Sequence, residues 1–369
     1  MRALKHVAVW HDVTTDLFQQ EIAPLAEPAI LKGLVKHWPL VECHIQDKNH
    51  RSTNPQDNTQ STRLNNGETL NHSGLFDLLS MHYVGGDVRM AEIKPGQKTQ
   101  FYYNSAFNGF NFERKVESYS QFIASLTNYA HAIEQNPQGL NQGAVAIQSA
   151  PLKDYFPTLV AQHEMALFNK ATTEPRFWLG NKSTVVAHYD DADNIACVVA
   201  GERQVTLFPP EQISHLYVGP LQFTPAGAPV SMVDLSEPDF EKYPLFKQAL
   251  NHALVANLEP GDALYIPRLW WHHVQALSDI NMLINFWAGG SIAATNKPVP
   301  MDAMLLAMLT IRDLPTAQKK AWQAFFDHYV FEHHEQSHQH IPEPIKGILA
   351  PLSSEQMTNI KKWLSSQLT

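Results

Sequence analysis

The chain has 369 residues, 44% of them hydrophobic, and 27 basic against 36 acidic side chains give a net charge of −9. That is enough apolar material for one large domain with a helical appendage, or for two domains. The longest apolar stretches are too short to span a bilayer, and no run of Lys or Arg supplies the counterion-release term that nucleic-acid binders depend on. No membrane and no nucleic-acid partner is therefore expected. Cys43 and Cys197 are the only cysteines, so no disulfide framework is implied. The start Met1-Arg2-Ala3-Leu4-Lys5-His6 lacks a signal-peptide pattern, and both features predict a cytoplasmic protein.

Residues 1–42 mix strand and helix signals and end at Trp38-Pro39. Residues 45–73 are rich in Asn, Gln, Ser, Thr and Asp with few apolar anchors, and read as a long surface loop. Phe101-Tyr102-Tyr103 is strand-like, and Tyr119–Ala132 reads as an amphipathic helix. From Ala144 to Phe286 short strands alternate with Pro/Gly turns, as in an antiparallel barrel.

The tail changes period. Met304, Leu305, Met308, Leu309 and Ile311 follow helical spacing, as do Trp322, Phe325, Phe326, Tyr329 and Val330, with Pro315 between the two helices. A last helix is expected over Ser354–Ser365. Domain boundaries follow, with a main domain over 1–295 and a helical region over 296–369. The apolar faces of that region must be covered, either by the barrel or by a second copy in a homodimer, and the homodimer is preferred. His328, His333, His334, His338 and His340 lie in this tail. His334 and His338, at i and i+4, could hold a metal on a helix, but a solvated helix end is the simpler reading.

The chemistry concentrates at two places. Val185-Val186-Ala187-His188-Tyr189-Asp190 reads as a strand, so His188 and Asp190 share a face and Tyr189 points the other way. A further histidine stands in Trp270-Trp271-His272-His273-Val274, after Pro260-Gly261-Asp262 and Pro267. Two imidazoles and one carboxylate with open positions opposite make the facial triad that binds Fe(II) for oxygen chemistry. Spacing alone leaves His272 and His273 both open as the second histidine. Trp270 and Trp271 are most simply core or pocket wall.

The order of motifs resembles the JmjC-type, cupin-like hydroxylases, with factor-inhibiting HIF and bacterial relatives as the nearest pattern. It runs from about Pro28 to Gly289, roughly 70% of the chain. Its members are Glu27-Pro28-Ala29-Ile30-Leu31-Lys32-Gly33, Trp38-Pro39, Pro175-Arg176-Phe177-Trp178-Leu179-Gly180 and Ala187-His188-Tyr189-Asp190. Asn194, Gly201-Glu202-Arg203, Leu207-Phe208-Pro209-Pro210, Pro260-Gly261-Asp262 through His272 and Asn285-Phe286-Trp287 complete it. The resemblance implies a mainly β fold, a double-stranded β-helix (jelly roll) core with flanking N- and C-terminal helices. It also implies that the histidine directly after the tryptophan pair binds iron, which selects His272.

By the same resemblance, 2-oxoglutarate chelates the iron. Arg203, fifteen residues after His188, takes the co-substrate's far carboxylate, for which a guanidinium is suited by its two parallel hydrogen bonds. Asn194 and Asn285 lie near the iron and the C1 carboxylate. Trp178, Trp287 and Tyr102 are candidates for the substrate pocket. Two departures from the family pattern appear. Ala146 stands where a tyrosine is common and Val185 where Ser or Thr is common, so Thr184 and Tyr103 are the candidates to fill in around the co-substrate.

The expected activity is an Fe(II)- and 2-oxoglutarate-dependent hydroxylation of a protein side chain or a small amino-acid-like molecule, releasing succinate and carbon dioxide. Asp190 closes the position that iron halogenases open for halide, and it replaces the second histidine of H-x-H cupin dioxygenases. N-demethylation is compatible with the triad. The alternative from another class is a non-catalytic cupin-like module that binds a metal or ligand and acts through its helical tail.

Overall fold

A computed structural model describes residues 4–53, 73–135, 142–225, 227–290, 299–331 and 338–368. Among the described residues the β-branched and aromatic runs form fifteen strands. They are β1 (Lys5–His6), β2 (Ala8–Trp10), β3 (Ala29–Leu31), β4 (Asp87–Ile93), β5 (Gln100–Phe101), β6 (Glu113–Ser118), β7 (Ala144–Pro151) and β8 (Arg176–Gly180). The chain continues with β9 (Thr184–His188), β10 (Asp193–Ala200), β11 (Arg203–Phe208), β12 (Leu254–Leu258), β13 (Ala263–Ile266), β14 (Trp271–Ala276) and β15 (Asn281–Ala288). A six-stranded sheet runs β1-β12-β11-β14-β9-β5 and a nine-stranded sheet β2-β3-β13-β10-β15-β8-β7-β4-β6. Pairing is antiparallel except at β1/β12, β2/β3 and β5/β9.

Alternation explains how the large sheet is covered on both faces. Ile195, Cys197 and Val199 of β10 and Ile284 and Phe286 of β15 pack into one cluster with Leu75, Phe76 and Leu79 and with Phe122 and Leu126. Those partners come from the helices Ser73–His82 and Tyr119–Gln135. The intervening residues Val198 and Leu283 face the other way and meet Val205, Leu207, Val274 and Leu258 of the small sheet. The core therefore lies in two layers, one under the helices and one between the sheets. Together they form the jelly-roll core flanked by helices. Gly201 closes the β10–β11 turn at φ 74°, where a Cβ would collide with the Ile280 carbonyl and the Asn281 side chain.

The polar stretch differs from expectation at its edges. The helix Pro39–Thr53 takes in residues 45–53, and Ser73 opens the next helix. The start Pro39-Leu40-Val41 supplies buried anchors, and backbone bonds from Val41 and Glu42 to Trp38 begin the helix, so it propagates into the polar run. The rest of that stretch lies outside the described residues.

The chain divides into two compact units, Met1–Thr295 and Asn296–Thr369. The second contains the helices Pro300–Thr310, Thr316–Phe326 and Ser354–Gln367. Pro315 caps the middle helix, and Ser353 and Gln356 form a capping box on the last. The expected continuation of the middle helix through Val330 becomes a π-turn over Asp327–Phe331. No described residue of these three helices is buried. His333 and His334 lie outside the described residues, and with them the possible histidine pair. Among the described residues no helix is long and apolar enough to cross a membrane.

His163 is a buried titratable group in the first unit. Its Nδ1 lies 2.8 Å from the Leu159 carbonyl and its ring meets Trp38 edge-on, while Nε2 has no partner among the described residues. Burial lowers its pKa to about 4. Between about pH 6.5 and 4 the unfolded chain binds a proton that the folded chain refuses, so stability is full above this window and falls as pH drops through it. The melting temperature is expected to fall on acidification from pH 7 to 4.5. In His163→Phe the proton uptake on unfolding, measured from the pH dependence of stability, should be smaller by about one proton.

Candidate metal centre

β9 and β14 lie side by side in the small sheet, and their register sets His272 directly opposite His188. Residues opposite one another on antiparallel strands share a face, so both rings point between the sheets, with centroids 4.2 Å apart. Asp190 follows two residues beyond His188. One ligand atom from each of His188, Asp190 and His272 lies within 4.8 Å of the others. His272 Nε2 is 3.7 Å from Asp190 Oδ2.

Backbone carbonyls orient both rings. His188 Nδ1 is 2.8 Å from the Val186 carbonyl and His272 Nδ1 is 3.0 Å from the Trp270 carbonyl. A carbonyl only accepts, so each Nδ1 carries the proton and each Nε2 keeps its lone pair for a metal. Burial and the neighbouring His188 lower the His272 pKa to about 4, which keeps the ring neutral at physiological pH. The Pro267–Trp270 turn is tied to the carboxylate segment by the Leu269 N–H, which donates to the Asp190 carbonyl at 2.7 Å. Leu269 accepts φ 65° to do so.

The residues between the ligands do the anchoring. Tyr189 and Trp271 meet edge-on at 4.9 Å on the outer face of the small sheet, beside Phe208 and Phe246. Trp270 packs between the sheets and its indole N–H donates to the Ala26 carbonyl at 3.0 Å. His273 stands opposite Thr206 of β11, on the face away from His272, next to a bulge in the β9–β14 pairing. It is buried, its Nδ1 has no partner among the described residues, and burial lowers its pKa to about 4. The ligand cluster contains His272 and leaves His273 out.

Arg203 sits on the inner face of β11, since it lies four residues from Leu207, the partner of His272. Its side chain is buried, its Nε has no partner among the described residues, and burial lowers its pKa to about 10. A buried cation without a counter-ion is costly and calls for an anion. Asn194 and Trp287 are opposite one another on β10 and β15, and Asn285 shares their face. The Trp178 indole N–H donates to Asn285 Oδ1 at 3.1 Å, and Asn285 Nδ2 donates to Asn194 Oδ1 at 3.4 Å. The Trp287 indole N–H donates to Asp190 Oδ2 at 3.1 Å. Sequence alone had suggested both tryptophans only as pocket wall, because hydrogen-bond partners from other strands leave no sequence signal.

Thr184, Tyr103 and Tyr102 fall elsewhere. Thr184 is opposite Gln275, which is itself opposite Gln204, and these belong to the outer face. Val185, opposite Val274, is the inward residue at that level. The Tyr103 hydroxyl donates to the Phe223 carbonyl at 2.5 Å and the Tyr102 hydroxyl to Met232 Sδ at 3.5 Å. Both tyrosines line a cavity of about 660 Å³ with Lys98, Phe110, Phe112 and Asp234. This cavity was not foreseen, since it is assembled from segments more than a hundred residues apart. Ala146 faces Ala91 and Gly180 in a small apolar cluster with Phe101 and Phe112, so no hydroxyl arises there.

A barrel of two sheets with two histidines and an aspartate at one end, and a buried guanidinium further along the same interior, defines a cupin-type fold with a candidate metal site. The cupin-like domain profile matches residues 15–288, and the chain belongs to that JmjC-type, cupin-like family, whose members are typically iron- and 2-oxoglutarate-dependent oxygenases. It is 39% identical over 291 residues to the tRNA wybutosine-synthesizing protein 5 of Danio rerio, covering 73% of this chain and 72% of that one. It is 32% identical over 160 residues to JmjC domain-containing protein F of Dictyostelium discoideum, covering 37% of this chain and 34% of that protein. The lysine-specific demethylase JMJ31 of Arabidopsis thaliana is 30% identical over 142 residues, 38% of this chain and 25% of that one. The chain thus spans about a third and a quarter of these last two relatives.

The donor set fits a divalent iron-group ion. His188→Ala and Asp190→Ala are each expected to abolish tight binding of Fe(II) or Co(II) in anaerobic titration, whereas His273→Ala should retain it.

Proposed function

We propose that this protein is an Fe(II)- and 2-oxoglutarate-dependent hydroxylase acting on a protein side chain or a small amino-acid-like molecule. The observation that carries the reading is the pairing of the His188, Asp190 and His272 cluster with the buried Arg203, whose Nε has no partner among the described residues, inside one barrel. Arg203 lies four residues along the strand from the level of His272, about 13 Å at the usual rise. A five-carbon diacid together with the arginine stem spans that gap. Iron bound there supplies dioxygen activation, coupled to decarboxylation of 2-oxoglutarate to succinate and carbon dioxide.

The chain's own groups do the rest. His188, Asp190 and His272 would hold the metal, and two imidazoles with one carboxylate are a donor set suited to iron oxygen chemistry. Arg203 takes the far carboxylate through parallel N–H bonds and so sets the orientation of the chelating end. Asn194 and Asn285, linked to each other and to Trp178, present amide dipoles beside the metal end. Apolar neighbours on the inner face, Val198, Leu207 and Leu283, keep water out and strengthen the guanidinium–carboxylate pair.

A second reading draws on the relative named for tRNA wybutosine synthesis, which favours an RNA-borne substrate. The net charge of −9 weighs against it, because phosphate binding needs concentrated positive charge. N-demethylation, suggested by the relative named a lysine-specific demethylase, is hydroxylation at an N-methyl group and needs no change in the residues above. The two cysteines, both free, suit a reducing cytoplasm.

We also propose a homodimer through the C-terminal helices. Leu309, Phe325, Phe331 and Trp363 are exposed there, and such faces are covered in stable proteins. Light scattering should give twice 41.6 kDa, and Leu309→Arg with Phe325→Arg should give the single-chain mass.

The enzymatic reading predicts succinate from 2-oxoglutarate with Fe(II), lost in Asp190→Ala. Arg203→Met should raise the 2-oxoglutarate KM at least tenfold while metal affinity stays within about twofold, since a charged hydrogen-bonded pair contributes about 1.5–3 kcal/mol. Full-length protein that binds no iron under anaerobic conditions would leave the alternative of a cupin-like module acting through its helical tail.

A further inference from the structure

The three metal-ligand side chains are held in different ways. His188 and His272 lie within paired strands, and each ring is fixed by a backbone carbonyl two residues earlier. Asp190 lies beyond the end of β9, so no ladder bond orients its side chain. Its main chain is fixed by Leu269, but a carboxylate can still turn about two side-chain torsions. Among the described residues the only hydrogen bond to that carboxylate comes from the Trp287 indole N–H, at 3.1 Å on Oδ2. This same oxygen is the one 3.7 Å from His272 Nε2.

Trp287 is well placed to hold a fixed direction. It stands in the last turn of pairing of β15, opposite Asn194 on β10, so its backbone is set by a central strand of the large sheet. The ring crosses the gap between the sheets, since Asp190 follows a strand of the small one. The bond therefore ties the two sheets together at the metal end. An indole donates only, through one N–H, and a carboxylate that accepts it is drawn to one orientation.

We propose that Trp287 is a positioning residue, whose indole N–H fixes the Asp190 carboxylate against the two imidazoles and so sets the affinity and ligand field of the bound metal. The inference rests on the iron-site reading above and deepens it. A pocket-wall role for Trp287 would need only its apolar ring, whereas a positioning role needs the N–H. Partners that orient metal ligands are worth about 10–100-fold in metal affinity when removed.

Trp287→Phe removes the donor and keeps an aromatic ring, and Trp287→His keeps a ring N–H. Full-length wild type and both variants are titrated with Co(II) without oxygen, by calorimetry and by the visible d–d bands, and the metal-free melting temperature of each is measured. The expected result is a dissociation constant raised about 10–100-fold in Trp287→Phe, a shift in its Co(II) bands, smaller changes in Trp287→His, and an unchanged metal-free melting temperature. Wild-type affinity and spectrum in Trp287→Phe would overturn the inference and leave the metal site standing. So would weaker binding that comes with a fall in the metal-free melting temperature, which assigns a packing role. Wild-type protein that takes up no Co(II) would remove the metal site and this inference together.

Discussion

Everything at the metal end depends on the register of β14 against β9, which sets His272 opposite His188. A slip of one residue would turn one imidazole to the outer face and bring His273 or Trp271 inward. Several bonds hold the register. Arg203 through Phe208 pairs with the whole of β14, Tyr189 packs on Trp271 outside, and the Leu269 N–H binds the Asp190 carbonyl. The non-glycine left-handed backbone of Leu269 costs on the order of 1–3 kcal/mol, and it buys a turn tight enough to bring the two ligand segments together.

Burial of the large sheet on both faces has a second consequence. Of the inward residues of β10 and β15, Asn194, Val198, Asn281 and Asn285 are buried, while Leu283 and Trp287 are partly so. An unpaired buried polar group costs about 1–3 kcal/mol, so the asparagines there need partners. The Trp178 indole, Asn285 and Asn194 supply one another. Arg203 Nε and Asn281 Oδ1 lack a partner among the described residues, and a ligand carboxylate would relieve the guanidinium.

The chain is similar to relatives named for lysine demethylation and for tRNA wybutosine synthesis. Family membership therefore does not choose a substrate, which is a matter for the segments around a site. Here those segments build a cavity from Tyr102, Tyr103, Phe110 and Phe112 on one side and Met232 and Asp234 on the other. Phe223 stacks on Phe110 and its carbonyl accepts from Tyr103. Tyr103, expected near the co-substrate, thus joins the cavity wall beside Tyr102, a substrate-pocket candidate, and Ala146 and Val185 leave an apolar lining between the sheets.

Much of the site was legible in the sequence because it depends on period and order. A strand of period two puts His188 and Asp190 on one face, the succession from Pro260-Gly261-Asp262 to His272 identifies the partner strand by resemblance, and the helical spacing after Met304 separates the tail. Other features depend on which strands become neighbours. The opposition of His272 and His188, the outward turn of Thr184, the diversion of Tyr102 and Tyr103, and the indole bonds of Trp178 and Trp287 all join residues far apart in the chain. The sequence by itself determined the ligand types, and by resemblance it pointed to the jelly-roll class, His272 and Arg203. Only the tertiary structure set His272 opposite His188 and brought the Trp287 indole to the carboxylate, because side-chain direction on a strand follows from cross-strand register, and register is set by packing between distant segments.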